Sequence, residues 1–258
     1  MNLTWIAMLL TTALFVGMLI TFEVGRRIGV ARLKRDPEGL TKGAGAAEGA
    51  VFALLGLLLA FTFSGAASRF EARRFYIDTE ANAIGTAYLR IDLLPEEAQP
   101  PLRELFRRYT ENRATVYQGS DLDAMKAKLA EGAAMQMEIW KQAVAACRLP
   151  GATSQAAMLM IPALNAMIDI TATRVTATTN HPPVVIYLLL VALSLIGAML
   201  VGYGTSPNRD RSLFHQGTFA LVIALAIYVI VDLEYPRLGL IRIDVADQAL
   251  IDVRSSMR

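Results

Sequence analysis

Apolar residues follow two rhythms along this chain. In four places they run almost unbroken for about the 20 residues that a hydrocarbon core demands. These runs are Leu3 to Phe22, about Ala46 to Ser68, Val184 to Tyr203, and Phe219 to about Leu233. The last is the shortest and reaches back to Phe214 if Gln216 is accepted within it. Between the second and third runs the apolar positions recur at helical spacing and charge fills the gaps. The pattern predicts an all-α chain with two spans, a helical extramembrane domain, two more spans and a short tail. The boundaries fall at 1–68 for spans one and two, 69–183 for the domain, 184–235 for spans three and four, and 236–258 for the tail.

The first run reads as a retained span. Met1 to Trp5 carries no Lys or Arg, and no clean small-x-small site precedes the basic residues, so it lacks the layout of a cleaved secretory leader. In the extramembrane part, Pro100 to Tyr117 places Leu102, Leu105, Phe106, Tyr109 and Val116 on one stripe, and its prolines sit where a helix start accepts them. A second helix follows Ser120 or Asp121 as N-cap and ends at Pro150 and Gly151. A third runs through "TSQAAMLMIPALNAMIDITATRVTATTN", with Pro162 kinking it or offsetting its start.

The second span has no internal stop. From about Ala46 to Leu94 nothing breaks a helix until Pro95. At 1.5 Å per residue such a helix is on the order of 70 Å long, more than twice the hydrocarbon thickness. One face carries Ala53, Leu57, Phe61, Ser64, Ser68 and Glu71, and Asn82 and Thr86 extend it. Arg69, Arg73 and Glu80 gather on the opposite face with Thr62. Two readings of the first face stand side by side. Leu57 and Phe61 pack against other spans or lipid, or several copies of this helix line a pore. In the second case Leu57 and Phe61 form a dry constriction that opens on Ser64 and Ser68, the arrangement by which hydrophobic gates dewet.

Composition narrows the field. Hydrophobic residues make up 54% of the 258, above the usual share for a soluble domain. The net charge of +2 gives no field that would seek nucleic acid. The single cysteine, Cys147, excludes an internal disulfide and any thiolate cluster, and it reads as a packed thiol. His181 and His215 lack metal-ligand company at useful spacing. "GAGAAEG" (Gly43 to Gly49) precedes a span and has Glu48 where a dinucleotide fingerprint needs its third glycine. No catalytic constellation is present, and no metal or cofactor is expected. Glu80, Arg90, Asp169 and Arg174, on neighbouring long helices, are expected to form structural ion pairs, as are Arg69 and Arg73. Asp232 and Glu234 close the fourth run beside Tyr235 and Arg237 and read as interface anchors.

The stretch "GLLLAFTFSGAASRFEAR" resembles the second transmembrane helix of the bestrophins. The match rests on Phe61, Ala66, Arg69, Glu71, Ala72 and Arg73, with one position fewer between Arg69 and Glu71 than the family has. With "EANAIGTAYLRIDLLP" (Glu80 to Pro95) and "DLEYPRLGLI" (Asp232 to Ile241), the chain is more closely similar to the bacterial bestrophin-like membrane proteins, a domain family of unknown function. The resemblance implies a multi-pass protein of the bacterial inner (cytoplasmic) membrane. By likeness to bestrophins it implies a homo-oligomeric, pentameric channel for small ions, embedded in the lipid bilayer, with no nucleic-acid partner. The neck positions carried over are Ala53, Leu57 and Phe61, with Ala53 smaller than the family's Ile or Phe. The acidic run of the bestrophin calcium clasp is missing after "EYPRLG", so no calcium site is expected. The alternative is a non-conducting scaffold or sensor whose helical domain binds a partner.

Orientation draws two opposite expectations. Arg26, Arg27, Arg32, Lys34, Arg35 and Lys42 in the first connector, with Arg209 and Arg211 in the other, put both connectors in the cytoplasm by the positive-inside rule. Bestrophins instead keep the large domain there, and Arg69, Arg73, Arg74, Arg237 and Arg242 flank the opposite ends of spans two and four.

Overall fold

The computed structural model describes residues 3–35, 44–117, 122–207 and 213–257. Among them there is no strand. The α-helices are α1 (Leu3–Leu33), α2 (Ala44–Leu89), α3 (Gln99–Thr115), α4 (Leu122–Ala146), α5 (Ser154–Thr179), α6 (Val184–Gly204), α7 (Leu213–Glu234) and α8 (Gln248–Ser256). Among the described residues four stretches are long and apolar enough to cross a membrane: Trp5–Leu33, Gly45–Leu93, Ser154–Gly204 and Leu213–Glu234. The Ser120 or Asp121 cap and the connector residues Lys42, Arg209 and Arg211 lie outside the described residues.

The chain divides into two compact units. The first comprises Met1–Arg69 and His181–Ile241, the second Phe70–Asn180 and Arg242–Arg258. The unbroken α2, 46 residues long, supplies both. Its α-geometry stops at Leu89, short of the expected Leu94, and gives way to a 3₁₀ turn over Arg90–Leu93. The cause is Pro95, which forces Leu94 into extended backbone at φ −88°, ψ 159°.

In the first unit α1 packs on α6 and α7. The core holds Met18, Phe22, Leu55, Leu190, Ala198 and Ala220. α1 runs well past its apolar stretch, because Gly25 and Gly29 let it follow α6 closely. A Cβ on Gly25 would strike the backbone of Met199, one on Gly29 would strike Ser206, and one on Gly202 would strike the Phe22 carbonyl. Small residues that admit a neighbouring backbone are the usual device where lipid removes the hydrophobic drive to associate. The contacts advance together along both helices, from Gly17 beside Leu195 to Gly29 beside Ser206, so α1 and α6 run parallel. α2 runs against them, with Phe52 beside Gly197 and Glu48 beside Gly204.

In the second unit Ile84, Ile91, Phe106, Ile139, Met160 and Leu164 form the centre of the core. The Thr153 hydroxyl caps α5 by accepting from the Ala156 N–H at 3.1 Å, and α5 continues through Pro162. The segment 236–258, which the sequence presents as a tail, is divided. Arg242–Arg258 belongs to this unit, with Leu250 and Met257 of its end buried in the core.

Replacing Gly202 by alanine is expected to destabilise the protein by about 1–3 kcal/mol, the usual cost of overpacking. Gly217→Ala, where a Cβ meets nothing within 4 Å, is expected to leave stability unchanged or improved. Thermal unfolding in detergent, followed by helical circular dichroism, reads both.

Candidate functional site

α2 divides sharply into a covered and an open face within the first unit. Leu55, Thr62 and Ala66 are buried. Ala53, Leu57, Phe61, Ser64 and Ser68, on the other side, are all exposed in the single chain. Leu57 is 52% and Phe61 66% exposed, large values for such apolar side chains. Ala53, Leu57 and Phe61 stand at i, i+4 and i+8, about 6 Å apart along the axis. The open face therefore passes from methyl to isobutyl to phenyl and then to two hydroxyls.

Beyond this stripe, Arg69 is tied to α7. Glu234 is fully buried, and its Oε1 accepts from Arg69 Nε at 2.8 Å and from Nη2. The other oxygen lies 3.4 Å from His181 Nδ1, and the His181 ring stacks on Tyr235 at 4.6 Å. Asp232, two residues earlier on α7, is also committed. Its carboxylate accepts the Leu240 N–H at 2.9 Å and the Ile241 N–H at 2.7 Å. A Cβ on Gly239 would collide with that carboxylate. Asp232 thus holds the chain after α7 in place as a backbone cap.

In the second unit, Glu80 is the centre of a buried polar cluster. It is 0% exposed. Its Oε1 accepts from Arg113 Nε at 2.6 Å and from the Thr171 hydroxyl at 3.2 Å, and its Oε2 accepts from Arg174. Arg174 also reaches Asp247 at 3.1 Å and lies over the Tyr117 ring at 4.9 Å. Tyr109 joins through Thr171 at 3.1 Å and accepts from Gln136 at 2.7 Å. Burial, with the Glu80 charge nearby, pushes the Tyr109 hydroxyl up to about 12, so it stays neutral. Burial would lower the Arg113 guanidinium, but Glu80 outweighs it and raises it.

The remaining charged residues singled out by the sequence have other partners. Arg73 is buried and donates to the Ala177 and Asn180 carbonyls at 3.1 Å each, satisfying the end of α5. Arg90 donates to the Leu159 carbonyl. Asp169 is exposed and stands apart from the cluster, because it lies on the side of α5 opposite Thr171 and Arg174. Asp247 takes the place expected for it. Asp247 was missed by the sequence reasoning, and so was Arg113. The signal for Arg113 was a charge on the apolar stripe of α3, at i+4 from Tyr109 and i+7 from Phe106. Cys147 is half-buried, and burial raises its thiol. Among the described residues no group of three or more His, Cys, Asp or Glu is gathered to hold a metal ion.

Glu80→Gln leaves the buried Arg113 guanidinium without a carboxylate and Arg174 with Asp247 alone. It is expected to cost about 3–5 kcal/mol, the range for breaking a buried pair from one side. Asp169→Asn is expected to stay within about 0.5 kcal/mol of wild type, as an exposed site should. Chemical unfolding of the purified protein distinguishes the two.

Comparisons with known proteins agree with this architecture. The backbone is similar to crystal structures of two point variants of a bacterial bestrophin homolog from Klebsiella pneumoniae. One has a TM-score of 0.68 at 14% identity, covering 95% of this chain and 98% of the other. The second has a TM-score of 0.69 at 14% identity, covering 93% and 98%. A crystal structure of a membrane protein matches with a TM-score of 0.63 at 15% identity, covering 95% and 99%. At these identities the likeness establishes the fold alone. No curated protein matches the sequence. A model of the Bestrophin-like domain matches residues 33–247, and this chain, a membrane protein by its apolar helices and by its relatives, belongs to that family.

Proposed function

We propose that this protein is a passive ion channel, a homo-oligomer of the bacterial inner membrane in which copies of α2 surround the conducting axis. In this reading Ala53, Leu57 and Phe61 form the neck, Ser64 and Ser68 the wetter vestibule, and small ions are the cargo. By likeness to bestrophins the assembly is a pentamer.

The observation that carries the proposal is the open face of α2. Its own unit buries Leu55, Thr62 and Ala66 and leaves Leu57 and Phe61 uncovered. A ring of such side chains around a narrow axis sheds water, so the neck opposes ion passage until it widens or wets. Serine hydroxyls at the next turns offer donors and acceptors to a hydrated ion. The family membership supports the same reading.

Ion flux in liposomes reconstituted with the full chain tests it. Wild type is expected to conduct, and Phe61→Ala is expected to raise flux severalfold by removing the bulkiest neck group. Flux absent from wild type and from Phe61→Ala alike would reject the channel and favour a non-conducting scaffold whose helical domain binds a partner.

A further inference from the structure

α1 does not stop where its apolar run ends. It continues beyond Phe22 for about three turns to Leu33, and this extension has two unlike faces. Gly25 and Gly29 press against α6. On the other side, Glu23, Arg27, Val30, Ala31 and Lys34 follow one another at i, i+4, i+7, i+8 and i+11, with Arg26 and Arg35 at the flanks. Together they line an open groove of about 610 Å³.

The groove is basic. Arg26, Arg27, Lys34 and Arg35 against Glu23 give a net charge of +3. Arg27 is anchored to Glu23 through its Nε at 2.9 Å while its side chain remains 78% exposed. That geometry leaves the two terminal nitrogens of its planar fork to meet an oxyanion. The extension also exposes Val24, Ile28 and Val30. A free anion has no use for apolar neighbours, whereas the glycerol and upper acyl chain of a lipid do. The stripe starts one residue beyond the apolar run, at the depth of the headgroup layer.

We propose that this face of α1 binds the phosphate of an anionic phospholipid headgroup, with Arg27, Lys34 and Arg35 as its main ligands. Arginine matches phosphate oxygens bidentately and lysine adds a point charge. Clusters of this kind beside a span are drawn to anionic leaflets. The site does not depend on the pore, and it remains if the protein does not conduct.

The test is native mass spectrometry of the full chain in neutral detergent, titrated with phosphatidylglycerol or with phosphatidylcholine. Wild type is expected to retain phosphatidylglycerol at least about tenfold more tightly, at about fivefold per basic residue. The triple change Arg27→Gln, Lys34→Gln and Arg35→Gln is expected to abolish the preference. Lys141→Gln with Arg148→Gln, exposed positions on α4 and in the turn after it, is expected to keep it. Equal retention of the two lipids by wild type overturns the proposal, and so does an undiminished preference in the triple variant. Displacement of phosphatidylglycerol by equimolar inorganic phosphate overturns it in favour of a free-anion site. Should the triple variant not fold, the salt dependence of wild type decides. Retention must fall with rising sodium chloride while helical circular dichroism holds, and salt-insensitive retention rejects the site.

Discussion

A carboxylate with no exposed surface must be paired or neutral, and two such carboxylates set the positions of the helices in this protein. Glu234 is fully buried at the end of α7 and draws in Arg69 of α2. Glu80 is fully buried on α2 and draws in Arg113 of α3 and Arg174 of α5. Taking charge out of water is costly, and the attraction repays it only when geometry is good and the remaining lone pairs are filled. Thr171, on Glu80 Oε1, and His181, near Glu234 Oε2, supply that second layer. The gain from such pairs is registry. A helix slid by one residue or turned by a third of a circle would leave a buried charge alone.

Registry explains why the open face of α2 is open. Arg69 reaches Glu234 from the same side of the helix that buries Leu55, Thr62 and Ala66. With that side fixed in the first unit, a period of 3.6 residues per turn leaves Ala53, Leu57 and Phe61 on the far side. The Gly25, Gly29 and Gly202 contacts draw α1 and α6 together and remove them as cover for that face. The exposure of Phe61 is thus a consequence of how the other helices are fastened, and its cover must come from lipid or from other copies of the chain.

Much of this could be read in the sequence, and the gaps have physical causes. The four apolar runs and the unbroken α2 were legible because length and period are local properties. Glu80 and Arg174 were legible as partners because both lie on the inner faces of their helices. Asp169 was not separable from them by proximity in sequence. Its displacement follows only from counting angles around α5, where it lies about 140° from Arg174. Arg113 was concealed by its own charge, since a basic residue on an apolar stripe reads as a solvated exception until a buried carboxylate is known to face it. α8 escaped notice because nine residues give too little periodicity to separate a docked helix from a tail. The extension of α1 past Phe22 looked like a connector. Its charges dominate the composition, while the two glycines that hold it to α6 contribute nothing to hydropathy.

The disposition of the acids also bears on the function proposed above. A machine that moves protons through a membrane needs a carboxylate that can exchange partners without disturbing the structure around it. Asp232 and Glu234 are the acids that close the fourth apolar run, and both are spent on structure. Asp232 holds two backbone N–H groups of the segment after α7. Glu234 is fully buried and paired with Arg69. The passive channel proposed above makes no demand on either acid.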